Sequence, residues 1–405
     1  MSNCSVDSIY IDYAKAFDKV DHNILLKKLE LYGVTNEYLI WIKSFLNERF
    51  QAVFLNDSVS YQTEVKSGVP QGSVLGPLLF IIFINDLSNH ISHSHIYTFA
   101  DDTKLVFPVN GLTDKLTLQK DLDSAIQWSK DNNMKLNEDK FELLIHSVGN
   151  VSSSYLLNQL PFCQDLVQYT VAPNTFLSPS DFVRDLGVLM SPDLSWEMHI
   201  SKICKKARQI CGWILNVFKT RDKTVMLTLF NSLVRSNLEY CCPLWDPFKI
   251  KLIDEVEQIQ RSFTHKINGM HEVDYWTRLK SLDIPSLQRR REKLILILVW
   301  KIKNNFSPND INLEFVKHNY SSKIKAVLKP MPRKVGKLLT LYENSFVIKA
   351  AKLWNVLPAE ISNITNFNEF LRKLECFLKI FPDEPPVNGY FHKNNNSILS
   401  YRTPM

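Results

Sequence analysis

No hydrophobic run in this 405-residue chain is long enough to cross a bilayer. The most apolar stretch, Leu78 to Leu87, falls well short of the roughly 20 residues that a spanning helix needs. The N-terminus lacks the apolar core of a signal peptide, so sequons such as Asn363-Ile-Thr365 carry little weight. Cysteine is sparse and unpatterned: seven residues, at 4, 163, 204, 211, 241, 242 and 376, with no C-x-x-C pair. That spacing argues against a zinc ribbon or a disulfide framework and reads as reduced thiols in an intracellular protein. Cys204 and Cys211 lie a heptad apart and fit the core side of a helix. There is no internal repeat.

Hydrophobic content of 45% and charged content of 22% are those of a globular chain, long enough to bury a sizeable core. The net charge of +6 is modest, but its distribution is not. Ser201 to Lys303 holds 20 Lys plus Arg against 10 Asp plus Glu, an excess of +10 that surpasses the whole-chain value. Such segregation points to a polyanionic partner; the alternative is a set of solvated helix faces.

Three local patterns carry chemistry. Phe99-Ala100-Asp101-Asp102 sits between two β-like runs, so two adjacent carboxylates meet at the bend of a hairpin. Their repulsion needs an offset, and a divalent cation supplies one; Asp-Asp is also a good turn sequence. Asp12 closes the apolar strand Ile9-Tyr10-Ile11, where α/β sheets place their chemistry, and Asp21 fits as the N-cap of Ile24 to Leu29. Capping and solvation are the alternative for Asp18 and Asp21. Between these sites lies Lys66-Ser67-Gly68-Val69-Pro70-Gln71-Gly72-Ser73-Val74-Leu75-Gly76-Pro77, followed by the apolar helix Leu78 to Leu87. Gly68, Gly72 and Gly76 allow a ligand close to the backbone, and Ser73 is a reasonable N-cap. The alternative is a Gly/Pro loop entering a core helix.

In this order, "DYAKAFDKVDH", "SGVPQGSVLGPLLFIIFINDL" and "FADD" resemble motifs A, B and C of reverse transcriptases, of the non-LTR (LINE-type, jockey-like) retrotransposon group. Trp128, Met134, Leu136, Asn137 and Lys140-Phe141-Glu142 resemble the fourth palm motif, although Phe141 stands where the family usually has a small residue. Leu186-Gly187-Val188 resembles the lead into the primer grip. Asp193 to Arg208 is similar to the start of the family's thumb, and Ser345-Phe346 and Ala350 to Pro358 to its C-terminal region.

The resemblance implies an α+β fold: a polymerase palm with an antiparallel sheet and helices, then an all-helical thumb and a C-terminal helical region. The expected divisions are residues 1–150 for the palm, 151–192 for a variable loop and the primer-grip region, 193–305 for a basic helical thumb, and 306–405 for C-terminal helices. Pro330 to Pro332 opens a basic loop, and the last 20 or so residues read as a mobile tail. Expected helices are Leu116 to Lys130, Met226 to Val234, Ile253 to Phe263 and Leu294 to Ile302. In the thumb, Ile200, Ile203, Ala207, Ile210, Cys211, Ile214 and Leu215 form one apolar stripe, with Lys202, Lys205, Lys206 and Arg208 off it.

The implied activity is RNA-directed DNA polymerase. Two Mg²⁺ ions, with Mn²⁺ as an alternative, would be held by Asp12, Asp101 and Asp102. Asp101 and Asp102 should differ in role, because successive strand residues face opposite ways. Phe17 corresponds to the aromatic that excludes the 2′-hydroxyl; its alternative is a core residue. Gln71, Gly72 and Lys140 would serve nucleotide binding, with a surface lysine as the alternative for Lys140. Ser73, Gly187, Lys205, Lys206 and Arg208 would meet nucleic acid. The partners implied are an RNA template, a DNA primer and deoxynucleoside triphosphates, without a membrane, in cytoplasm and nucleus. The fingers and endonuclease regions that precede motif A in the family are not in this sequence, which suggests an N-terminally truncated copy. A catalytically silent remnant that binds nucleic acid through its thumb is the competing reading.

Overall fold

The computed structural model describes residues 5–147, 168–309, 311, 313–317, 324–327, 342–384 and 396–400. The Pro330 to Pro332 loop, Cys4, Cys163 and most of the expected variable loop lie outside them. The chain forms two compact units, Met1–Leu194 and Ser195–Met405.

The first unit runs β1 (Ser5–Ile11), α1 (His22–Leu31), α2 (Asn36–Leu46), β2 (Arg49–Gln51), β3 (Thr63–Val65), α3 (Leu75–Ile84), β4 (His95–Phe99), β5 (Asp102–Val109), α4 (Leu112–Asp131) and β6 (Glu142–Ser147). Two small hairpins follow, β7 (Thr170–Ala172) with β8 (Thr175–Phe176), and β9 (Val183–Asp185) with β10 (Val188–Met190). The main sheet is antiparallel, in the order β4-β5-β1-β6. Side chains alternate along its strands. Ile9, Ile11, Leu105 and Leu143 are buried in one core with Phe80, Phe83 and Trp128 from the helices. Tyr97, Lys104, Tyr10 and Glu142 form a row across the four strands at the intervening positions.

Polar groups fasten this core. Asp21 caps α1 by accepting from Asn23 N and Ile24 N, as its position before the apolar run predicts. Lys28, buried, donates to Phe83 O at 2.7 Å and to Asp86 at 2.7 Å. Asp86 also accepts from the Trp128 indole at 3.0 Å, so one ion pair ties α1 and α4 to the end of α3. Asp121 of α4 accepts from the backbone of Ser92, His93 and Ser94, fixing the approach to β4.

The second unit contains α5 (Glu197–Val217), α6 (Lys223–Leu229), α7 (Ile250–Thr264), α8 (Tyr275–Leu282), α9 (Leu287–Lys303), the hairpin β11 (Glu314–Lys317) with β12 (Ile324–Val327), α10 (Phe346–Val356) and α11 (Phe367–Leu378). Of the predicted stripe of α5, Ile200, Ala207, Cys211 and Ile214 are buried and Ile203, Ile210 and Leu215 half-buried; Cys204 is buried beside them. Among the described residues no helix is long and apolar enough to cross a membrane.

The structure departs from the sequence reading in four places. The helix expected over Met226 to Val234 opens into a π-helical turn at Phe230–Arg235. The expected division between 305 and 306 is not a structural boundary, because Trp300 of α9 packs with Trp354 of α10 and Phe370 of α11 in one core. The end of the expected variable loop is structural: Tyr169, Val171 and Leu177 join the first unit's core, and Tyr169 donates to buried Asp7 at 2.8 Å. The expected mobile tail is anchored where it is described. Asn396 donates to Ser286 Oγ at 2.8 Å, the Ile398 N–H donates to Glu292 at 3.2 Å, and Ile398 is buried.

Candidate active site

The register of the sheet brings the acidic residues together. Ile11 pairs with Thr103, so the next residues, Asp12 and Asp102, come level at the sheet's end. Phe99 pairs with Asp102, leaving Ala100 and Asp101 as a two-residue turn. Ala100 takes φ +53° and Asp101 does not have positive φ, the pattern of a type II′ hairpin turn. Asp12 is fixed from behind: its carbonyl accepts from Asn137 N at 2.9 Å, and Ala14 N donates to Lys135 O at 2.8 Å. Lys140 reaches the Asp12 carboxylate at 3.7 Å, despite the bulky Phe141 beside it, whose ring is buried in the core.

Asp12 and Asp102 line a cleft of about 660 Å³. Five carboxylates face it, those of Asp12, Asp102, Asp139, Glu142 and Asp185, against the cations of Lys104, Lys140 and Arg184. The excess negative charge has a direct consequence. Burial, with Asp101, Asp185 and Asp12 nearby, raises the Asp102 carboxyl above its ordinary value. Asp102 is among the residues that line the cleft, whereas Asp101 sits in the turn beside it.

Motif B is stitched to motif A through backbone. Gly68 N donates to Val20 O and Val69 N to Phe17 O, both at 2.8 Å. Gly68 O accepts from His22 Nε2 at 2.9 Å and from Arg49 at 2.6 Å. The Phe17 ring, half-buried, stacks on Phe80 of α3 with centroids 4.2 Å apart and planes 16° apart. Gln71 is exposed and donates to Asp18 at 3.0 Å.

The expectation for two glycines of this loop needs correction. Gly68 and Gly76 admit protein backbone, not a ligand: a Cβ would lie 2.7 Å from Asp18 Cα at the first and 2.4 Å from Pro70 O at the second. At Gly72, where φ is +82°, a Cβ would meet nothing within 4 Å, so the space beside the backbone is open. The Ser73 hydroxyl donates to Pro70 O at 2.7 Å and accepts from Gly76 N at 2.9 Å, so it serves the start of α3.

Gly187, with φ +88°, and Leu186, with φ +44°, form the turn between β9 and β10. In the second unit Lys205 and Lys206 are exposed on α5, whereas Arg208 is 3.6 Å from Glu255. Sequence reasoning missed Asp185, which pairs with Lys104 and accepts from the Tyr10 hydroxyl at 3.4 Å. Strand periodicity places Lys104, two residues from Asp102, on the same face, but no local pattern marks Asp185.

Compared with known proteins, residues 8–177 match the family described as reverse transcriptase (RNA-dependent DNA polymerase). These residues are a reverse transcriptase domain. The chain is 34% identical over 272 residues to the RNA-directed DNA polymerase from mobile element jockey of Drosophila melanogaster, covering 64% of this chain and 28% of that protein. It is 25% identical over 272 residues to the probable RNA-directed DNA polymerase from transposon X-element of the same organism, covering 65% and 28%. The chain thus spans less than a third of the length of these relatives. The structure of apo telomerase from Candida tropicalis overlaps 76% of this chain and 52% of that one, at 11% identity and a TM-score of 0.36, too distant to carry an argument.

Reverse transcriptases work with divalent metal ions. The charge of the cleft fits such an ion, because the carboxylates that raise Asp102 are left with more negative charge than their cations offset. Among the described residues, no three His, Cys, Asp or Glu side chains are grouped so as to hold a metal ion by themselves. Substrate phosphate oxygens are the usual further ligands of Mg²⁺.

Proposed function

We propose that the reverse transcriptase domain extends a DNA primer on an RNA template, using deoxynucleoside triphosphates, and that Asp12, Asp101 and Asp102 carry the reaction. The observation behind this reading is the register that brings Asp12 and Asp102, each next to the Ile11–Thr103 pair, to one end of the sheet, beside the turn that holds Asp101. These three carboxylates, completed by phosphate oxygens of the substrate, would hold two Mg²⁺ ions, or Mn²⁺ in their place. When bound, such ions activate the primer 3′-hydroxyl and offset the charge of the triphosphate. The chain's own contribution is to orient and to neutralise.

Phe17 lies against C2′ of the incoming sugar and leaves no room for a 2′-hydroxyl. Its stack on Phe80 supports that role, because a ring backed by another ring has little freedom to swing aside. Gln71 contacts the nucleotide from the loop whose backbone also fixes Phe17, and Gly72 borders the template. Lys140 offers an ammonium group to the leaving pyrophosphate. Gly187 meets the primer backbone. Lys205, Lys206 and Arg208 follow phosphates without reading sequence, so binding weakens steeply with salt. Such a protein works in the cytoplasm and nucleus, where RNA template and chromosomal DNA are found.

The test is primer extension by the whole 405-residue chain on oligo(dT)-primed poly(rA), with dTTP and Mg²⁺. Extension by the parent that is lost in Asp12→Asn and Asp101→Asn supports the reading. A parent that binds the primer–template without extending it overturns the activity and returns the binding-only alternative.

A further inference from the structure

The hairpin of β9 and β10 presents the Leu186-Gly187 turn, yet each of its strands has only three residues. A ribbon that short has little stability of its own. Val183, buried at the base opposite Met190, and Val188, buried opposite Asp185 beside the turn, give it an apolar footing on one face. A polar contact holds the tip as well. Asp185 is the last strand residue before the turn, and its carboxylate pairs with the Lys104 ammonium. The Tyr10 hydroxyl donates to the same carboxylate oxygen at 3.4 Å.

Lys104 is itself held on two sides. Its ammonium lies 5.8 Å from the Tyr10 ring centroid and 5.4 Å from that of Tyr97, within cation–π range of both. Those rings come from the strands flanking β5, in one cross-strand row with Lys104. The pair is largely sheltered, with side-chain exposures of 27% for Lys104 and 15% for Asp185, unlike the open surface pairs that contribute little. Lys104 is also two residues from Asp102 on the same strand. The hairpin tip is therefore referenced to the strand that carries the acidic site, and not merely to the body of the unit.

We propose that Lys104 and Asp185 form a tether that positions the Leu186-Gly187 turn at the acidic cleft, and that both are positioning residues for the primer terminus. The proposal rests on the function proposed above for what the turn meets, but not for the tether itself. Lys104 has a second effect. Asp185 brings a further carboxylate to a cleft already rich in them, and Lys104 offsets its charge.

Three variants of the whole chain test this: Lys104→Met, Asp185→Asn, and the swap of Lys104→Glu with Asp185→Lys. Amide hydrogen exchange across Val183 to Met190 reads the tether without any activity. In each single variant, exchange at the tip should quicken about tenfold, as expected for a lost charge-assisted bond. In primer extension, KM for the primer–template should rise about tenfold while kcat at saturation changes less than twofold. The swap should recover most of both. Unchanged exchange in both single variants overturns the tether, as does a swap no better than its parts. A fall in kcat at constant KM overturns the positioning role. If the parent extends no primer, the proposed function falls, and exchange in the swap still decides the tether.

Discussion

Gly68→Ala isolates the contact that joins motif B to motif A. A Cβ there would lie 2.7 Å from both Cα and O of Asp18 and 2.8 Å from its C. All three are backbone atoms, so no side-chain rotation relieves the overlap, and overpacking of this kind costs about 1–3 kcal/mol. Gly68 also has φ +88°, which costs an L-residue about 1–2 kcal/mol more. Against this, alanine loses less entropy on folding, a gain of about 0.4–1 kcal/mol. The balance is a loss of about 2–4 kcal/mol. It falls on the loop that is bonded to Val20, Phe17, His22 and Arg49. Amide hydrogen exchange of β1 and β5 reads the first unit separately from the second. It should quicken roughly thirty- to a thousandfold, at about 1.4 kcal/mol per factor of ten. Gly72→Ala is the control: φ is +82° but the space is open, so the loss should stay near 1 kcal/mol, of the order of the φ penalty alone. If Gly68→Ala is no worse than Gly72→Ala, the close approach is not what holds the two motifs together.

Asp121→Ala strands the N–H groups of Ser92, His93 and Ser94 and the Ser94 hydroxyl, and should cost about 3 kcal/mol in urea unfolding of the first unit, with β4 amides the first to lose protection. A loss under about 0.5 kcal/mol, the size of an ordinary surface change, would show that water replaces the carboxylate freely. In the second unit, burial and then Lys202 push the His199 imidazole down to about 4 from 6.5. The folded state thus keeps it neutral where the unfolded state protonates, so its contribution is intact above pH 6.5 and is lost as pH falls toward 4. His199→Leu should flatten the pH dependence of unfolding in that window, and an unchanged slope would exclude His199 as its source. Phe17→Val should admit ribonucleotides in primer extension; unchanged sugar selectivity in an active variant would remove Phe17 from that role.

What the sequence made legible was what local pattern determines. An unbroken β-branched and aromatic run gave β1, and the acid after it had to stand at a strand end. Two aspartates after an apolar strand gave the hairpin. Asp21 before an apolar helix gave its cap, and a 3.6-residue stripe gave the buried face of α5. Where a residue's partner is far along the chain, pattern was silent. The Lys104–Asp185 pair joins positions 81 apart, and neither residue breaks any local rule. Gly68 announced a close approach correctly but not what approaches, because a glycine specifies absent volume and the sequence does not say which atoms fill it. Residues 396–400 make the same point from the other side. Asn-, Ser- and Pro-rich text reads as a tail because it offers no apolar period. Yet Glu292 is fully buried on α9, and a buried carboxylate needs donors. The Ile398 N–H supplies one from 106 residues away, while Ile398 itself fills the core beside it. Glu292 stands in the charged run Arg289-Arg290-Arg291-Glu292-Lys293 of α9, where nothing local marks it as buried; only the fold says that it is, and which segment meets it.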